Sequence, residues 1–209
     1  MDYLTLFSKG ESFQSELIIT KGHIQSDPFF SIFIPTFNRP DLLKKAIYSA
    51  ISQDFKNNYE IVVIDNCSEY NSFIQIKEYI NGLNLENNVK ISLYRCISHS
   101  NSWNMGILKS ISDWVIMLHD DDLLNYNHLS EVYKYISSKS EIIVLCSDSY
   151  NLIQTTQLSI LNKFFMFFKE NIKKFRRNRF VKLREIDFYF HNPASNTGVV
   201  LNRKVALEQ

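Results

Sequence analysis

Short, unbroken apolar runs that each stop at a polar cluster constrain this chain most. Phe29-Phe30-Ser31-Ile32-Phe33-Ile34-Pro35, Tyr59-Glu60-Ile61-Val62-Val63-Ile64-Asp65 and Trp114-Val115-Ile116-Met117-Leu118 are too short for core helices and do not alternate like a half-wet strand. Such runs read as strands buried on both faces, which occur in sheets covered by helices on either side. Residues 89–94 alternate and read as a further strand, as does the run at 142–145. Between them lie helical stretches at 41–51, 71–80, 102–110 and 129–137. In the first, Leu43, Ala46, Ile47, Ala50 and Ile51 recur at helical spacing, and Pro40-Asp41 stands where helix starts favour proline and an acid.

Strand and helix alternate to about residue 150, with connections long enough for crossovers. This predicts an α/β fold: a Rossmann-like, mostly parallel sheet with helices on both faces, in a single domain. Ligands of such sheets sit beyond the carboxyl ends of the strands. The polar residues fall at those ends: Thr36, Asn38 and Arg39 after the first run, Asp65, Asn66 and Ser68 after the second, Asp120-Asp121-Asp122 after the third. Three clusters from distant parts of the chain converging on one edge carry more weight than any one of them.

Composition narrows the function. The 209 residues are 45% hydrophobic and 14% aromatic, enough for a packed core, and the formal net charge of +1 argues against a globally basic nucleic-acid binder. Cys67, Cys96 and Cys146 are odd in number and far apart, so neither a disulfide framework nor a zinc knuckle is expected. No GxGxxG and no GxxxxGK[ST] occurs, which disfavours a standard dinucleotide fold and a P-loop. Residues 1–21 lack the apolar core of a signal peptide, and no run approaches the roughly 20 apolar residues of a membrane span. A cytoplasmic protein is the expectation. Residues 1–27 read as an N-terminal extension, 28–150 as the α/β core, and 151–209 as a basic, aromatic helical segment followed by the start of a further part.

Adjacent carboxylates at a strand end repel one another unless a cation is present, and oxygen ligands suit Mg2+ or Mn2+ completed by substrate phosphates. The competing reading is a solvated acidic turn that caps the next helix. Asp65 could accept hydrogen bonds from a base or ribose, or cap the turn that follows it. Thr36 to Arg39 precedes a helix start, where backbone amides and a guanidinium could face a phosphate or a base; ordinary capping by Asn38 is the alternative.

Read together, residues 31–40 (SIFIPTFNRP), 60–68 (EIVVIDNCS), Asn104-Met105-Gly106-Ile107 and 114–122 (WVIMLHDDD) resemble family 2 glycosyltransferases of the GT-A fold, in order and spacing, over about residues 29–150. The resemblance implies that Pro35, Thr36, Asn38, Arg39, Asp65, Asn104, Asp120 and Asp121 bind the nucleotide-sugar, with Asp65 on the base and Asp121 near the ribose. It makes Asp120 to Asp122 the DXD element, with Asp122 the ligand to Mn2+ or Mg2+ bridging the diphosphate. The family often has a small residue at Asp120 and an Asp at His119, and many members have Arg at Trp103. The activity implied is inverting transfer from a nucleotide-diphosphate sugar to a glycan or lipid-linked acceptor in cell-surface polysaccharide synthesis. UDP is the commonest donor nucleotide of the family; dTDP and GDP stay open.

The family's catalytic base is a carboxylate in an acidic pair well after the strand that Thr197 to Leu201 resembles. No such pair occurs before Gln209, and Glu185 and Asp187 come too early, so the expectation is a donor half, incomplete at the C-terminus, whose catalytic residue is unknown. The alternative function is a truncated, inactive nucleotide-binding or membrane-associated module. A sugar nucleotidyltransferase would need a glycine-rich loop after the first strand, and Thr36 to Pro40 has no glycine. Between Lys163 and Arg184, nine basic residues with interleaved phenylalanines face a single acid, Glu170. That pattern fits an interfacial helix on an anionic leaflet, which would make the protein peripheral on the cytoplasmic membrane face. It equally fits a helix with its Phe side on the core and its basic side in water; RNA binding is the poorer third reading.

Overall fold

The computed structural model describes residues 14–97, 102–138, 144–145 and 199–204. They form seven strands, β1 (Ser15–Gly22), β2 (Phe30–Thr36), β3 (Tyr59–Asp65), β4 (Val89–Cys96), β5 (Trp114–Met117), β6 (Val144–Leu145) and β7 (Val199–Asn202). Four helices connect them: α1 (Pro40–Ile51), α2 (Tyr70–Asn81), α3 (Ser102–Lys109) and α4 (His128–Ser138). The basic, aromatic stretch at 163–184, together with Glu185 and Asp187, lies outside the described residues. Among the described residues no helix is long and apolar enough to cross a membrane.

The strands form one sheet in the order β1-β4-β3-β2-β5-β7-β6. Its centre, β4-β3-β2-β5, is the parallel block that the strand-helix alternation implies. Two strands from outside that alternation make the whole sheet mixed. The apolar stretch Leu17-Ile18-Ile19-Thr20 is the middle of β1, which pairs antiparallel with β4 and covers an edge that would otherwise leave its N–H and C=O groups unpaired. At the other side β7 inserts between β5 and β6, antiparallel to both.

The unbroken apolar runs are explained by the two layers they face. On one side Phe30, Ile32 and Ile34 of β2 and Ile61 and Val63 of β3 pack with Leu43, Ala46 and Ile47 of α1, Phe73, Ile76 and Ile80 of α2, and Leu129 and Val132 of α4. On the other, Phe33, Val62, Ile64, Val115 and Met117 pack with Met105 of α3. Alternate residues of one strand therefore enter opposite cores, so no position in the run can be polar without a partner. The exceptions have partners. Buried Glu60 accepts from Ser31 Oγ (2.6 Å) and Ile111 N (2.8 Å) and pairs with Lys90 Nζ (3.0 Å), holding the turn that leads into β5.

Two features aim the site. Gly106 lets α3 lie directly on Phe33, so that the start of α3 reaches the carboxyl end of β2. The segment after the acidic turn is pinned to α1 and the turn beyond it: Leu124 N donates to Ser49 Oγ (3.1 Å), Leu129 N to Gln53 Oε1 (3.1 Å), and Asp54 N to Tyr126 O (3.0 Å).

Candidate functional site

The carboxyl ends of β2, β3 and β5 open on a cleft of about 230 Å3 lined by Pro35, Thr36, Phe37, Arg39, Asn66, Ser102, Trp103, His119 and Asp120. A larger, shallow depression at Gln25, Lys56, Asn58 and Glu86 lies at the opposite end of the strands, away from every acidic cluster. In parallel sheets chemistry belongs at the carboxyl end, so the smaller cleft is the candidate site.

Its floor is a row of paired positions across three strands. Register places Thr36 beside Asp65 and Asp65 beside Arg95. Asn66 N donates to Thr36 O (2.9 Å), joining the first two strand ends. Asp65 is fully buried. Ser68 N donates to both of its carboxylate oxygens (3.3 Å each), and Arg95 Nε stands 3.5 Å from Oδ2. Arg95 also donates to Ser68 O (2.8 Å), and its guanidinium lies 4.0 Å from the centre of the Phe73 ring. The carboxylate is thus held by one loop and one neighbouring strand.

Burial pushes the Asp65 carboxyl above its ordinary range; the Ser68 hydrogen bonds and then the Arg95 charge draw it partway back. The folded state therefore binds this proton more tightly than the unfolded chain does. The resulting penalty is absent below the ordinary carboxylate pKa, grows as pH rises from there to the folded one, and is complete above it. Asp65→Asn is accordingly expected to unfold at higher denaturant than the wild type at pH 7, with the gain vanishing toward pH 3. A urea series over that range checks it; a loss of stability at pH 7 would show that the ionised carboxylate is worth more than its burial costs.

The loop after β2 is held in the same way. Asn38 takes a positive φ of 55°, which asparagine tolerates. Its N–H donates to Ser68 Oγ (2.9 Å), and its Oδ1 accepts from Glu69 N (2.7 Å). Asn38 therefore does not cap α1 but ties the β2–α1 loop to the start of α2. Helix α1 begins on Arg39 without a side-chain cap.

The acidic turn divides its labour. Asp120 is buried, accepts from Thr36 Oγ1 (2.8 Å) and pairs with Arg39 Nη1 (3.3 Å). The same nitrogen lies 3.2 Å from Asp121 Oδ2. Arg39 is therefore the counter-charge that lets adjacent carboxylates coexist, while half its side chain stays exposed to the cleft. A backbone bond from Asp122 N to His119 O (3.2 Å) closes the turn. His119, Asp121 and Asp122 then present one possible ligand atom each, all within 4.8 Å of one another. His119 Nε2 is shut off from solvent and has no hydrogen-bond partner.

The structure thus brings Pro35, Thr36, Arg39 and Asp120 onto one cleft, with Asp65, Asn38, Asp121 and Asp122 on the adjoining loops and strand ends. Asn104 is half-buried on α3, one residue beyond the Trp103 that lines the cleft. Sequence reasoning missed Arg95 and gave no role to Ser68. Arg95 looks like the outward end of an alternating strand, and only the β3–β4 register sets it beside Asp65.

The model of the family described as "Glycosyl transferase family 2" matches residues 31–200. Over 123 residues the chain is 28% identical to the putative colanic acid biosynthesis glycosyl transferase WcaA of Escherichia coli, covering 57% of this chain and 41% of that one. It is 27% identical over 119 residues to the poly(ribitol-phosphate) beta-N-acetylglucosaminyltransferase TarS of Staphylococcus aureus, covering 56% and 20%. The chain therefore spans a fifth to two fifths of the length of these curated relatives. Among solved structures, the mannosyltransferase PcManGT of Pyrobaculum calidifontis, in complex with GDP-Man and Mn2+, shares the fold with a TM-score of 0.52 at 13% identity, over 71% of this chain and 41% of that one.

Proposed function

Because this chain belongs to glycosyltransferase family 2, we propose that its cleft binds a nucleotide-diphosphate sugar, with UDP as the nucleotide, for transfer to a glycan or lipid-linked acceptor in surface-polysaccharide synthesis. The observation that carries this reading is the convergence of Thr36, Arg39, His119 and Asp120 on one cleft at the carboxyl end of the sheet, with Asp65 beside Thr36 on the neighbouring strand.

Each residue has a task in that reading. Asp65, fixed by Ser68 and Arg95, accepts a hydrogen bond from the base. Phe37 and Trp103, both exposed at the cleft, offer flat apolar surface to it. Asp120 stays with Thr36 and Arg39 and holds the turn in place. Asp121 lies toward the ribose. Asp122, with Asp121 beside it, would hold a divalent cation; the donor set fits one, since two carboxylates and an imidazole whose Nε2 has no hydrogen-bond partner gather in a single turn. When bound, such a cation supplies positive charge to the diphosphate as it leaves. Inversion at the sugar carbon further needs a base to take the acceptor proton from the opposite face. The described residues account for the donor side of that reaction.

Calorimetric titration of UDP, GDP and dTDP into the chain, with and without manganese, tests the reading. UDP is expected to bind, and to need manganese. A folded chain that binds none of the three would overturn it.

A further inference from the structure

We propose that His119 is a ligand of the donor-site cation, which makes the site a mixed nitrogen and oxygen one that prefers manganese to magnesium. The inference deepens the donor-site reading and rests on it.

Three observations carry it. First, one ring nitrogen of His119 and one oxygen each of Asp121 and Asp122 lie within 4.8 Å of one another. Ligands about 2.1 Å from a shared ion stand about 3.0 Å apart when adjacent and about 4.2 Å apart when opposite, so side-chain rotation that draws the three groups together would let them share one. Second, Nε2 of the same imidazole has neither solvent nor a hydrogen-bond partner, although most buried nitrogens in native proteins have one. Third, the remaining carboxylate of the turn is already spent. Asp120 is buried against Thr36 and Arg39 and lies outside the His119, Asp121 and Asp122 group, whose outer member Asp121 shares the same guanidinium at 3.2 Å. The Trp103 ring stands edge-on to His119, with centroids 5.0 Å apart and planes at 88°, and so restricts the tilt of the imidazole at the cleft.

The chemistry follows from donor type. Magnesium is a hard ion that favours oxygen and parts reluctantly with its water. An imidazole nitrogen suits transition metals, so replacing an oxygen donor by His119 raises affinity for manganese relative to magnesium.

The test uses the full chain with manganese chloride and UDP. Electron spin-echo envelope modulation of the bound Mn2+ is expected to show nitrogen coupling in the wild type and none in His119→Ala. Calorimetry is expected to show His119→Ala weakening manganese by about tenfold or more, with magnesium changed far less. His119→Asp should still bind both ions, with a smaller preference for manganese. The wild-type spectrum decides the matter even if a variant fails to fold. Manganese bound in the wild type without nitrogen coupling, and lost in Asp122→Ala, would overturn the role of His119 and leave the donor site standing. No manganese bound at all would overturn both.

Discussion

Asp122→Ala is expected to lower manganese-dependent nucleotide-sugar binding or turnover by at least about 100-fold, while leaving the protein folded and costing less stability than Asp120→Ala. The two halves of that expectation come from the division of labour in the acidic turn. The backbone bond that closes the turn runs from Asp122 N to His119 O and survives the substitution. The side chain that anchors the turn to the fold is that of Asp120, through Thr36 and Arg39. Asp120→Ala should behave in the opposite manner. It strips a buried hydroxyl of its acceptor and Arg39 of a partner, so it costs stability, on the order of 1–3 kcal/mol, as well as binding. Calorimetry and urea unfolding on the two variants separate the roles. If Asp122→Ala unfolds the protein, or binds nucleotide with manganese as the wild type does, the assignment of Asp122 to the cation fails.

Gly106→Ala is expected to destabilise the protein by about 2–3 kcal/mol, against the usual gain of about 1 kcal/mol for that exchange inside a helix. A methyl group at position 106 would lie 2.1 Å from Phe33 Cδ2 and 2.5 Å from Cγ. Phe33 is 1% exposed and belongs to the central strand β2, so its ring cannot swing away into solvent. The helix must lift instead. Because α3 carries Ser102 and Trp103 to the cleft, nucleotide affinity should fall with stability. Phe33→Leu introduced beside Gly106→Ala should recover part of the loss by making room for the methyl group. A stabilised Gly106→Ala protein would mean that α3 does not approach the sheet as closely as described.

The fold was largely legible because burial leaves a mark on the chain. A strand covered on both faces cannot alternate, so β2, β3 and β5 announced themselves as unbroken apolar runs, and β3 was read to its exact limits. The helices followed from spacing; α1 and α2 lie within one residue of the predicted stretches at each end. The placement of β1 and β7 was not legible. The partner of each is chosen by a free sheet edge or gap, a property of the assembled sheet and not of the strand.

The candidate site divides along the same line. The sequence alone determined that Thr36, Asp65 and Asp120 to Asp122 gather at one end of a parallel sheet, because strand polarity follows from strand-helix alternation and every polar cluster stood after a strand. Only the tertiary structure decided what each side chain does there. Register set Arg95 beside Asp65, a left-handed Asn38 joined two loops instead of capping a helix, and Arg39 took Asp120 and Asp121 together. Partners of this kind come from residues 27 to 84 positions apart, at distances of 2.7–3.5 Å. Their choice depends on differences of an ångström between neighbouring strands, which no local pattern of residues encodes.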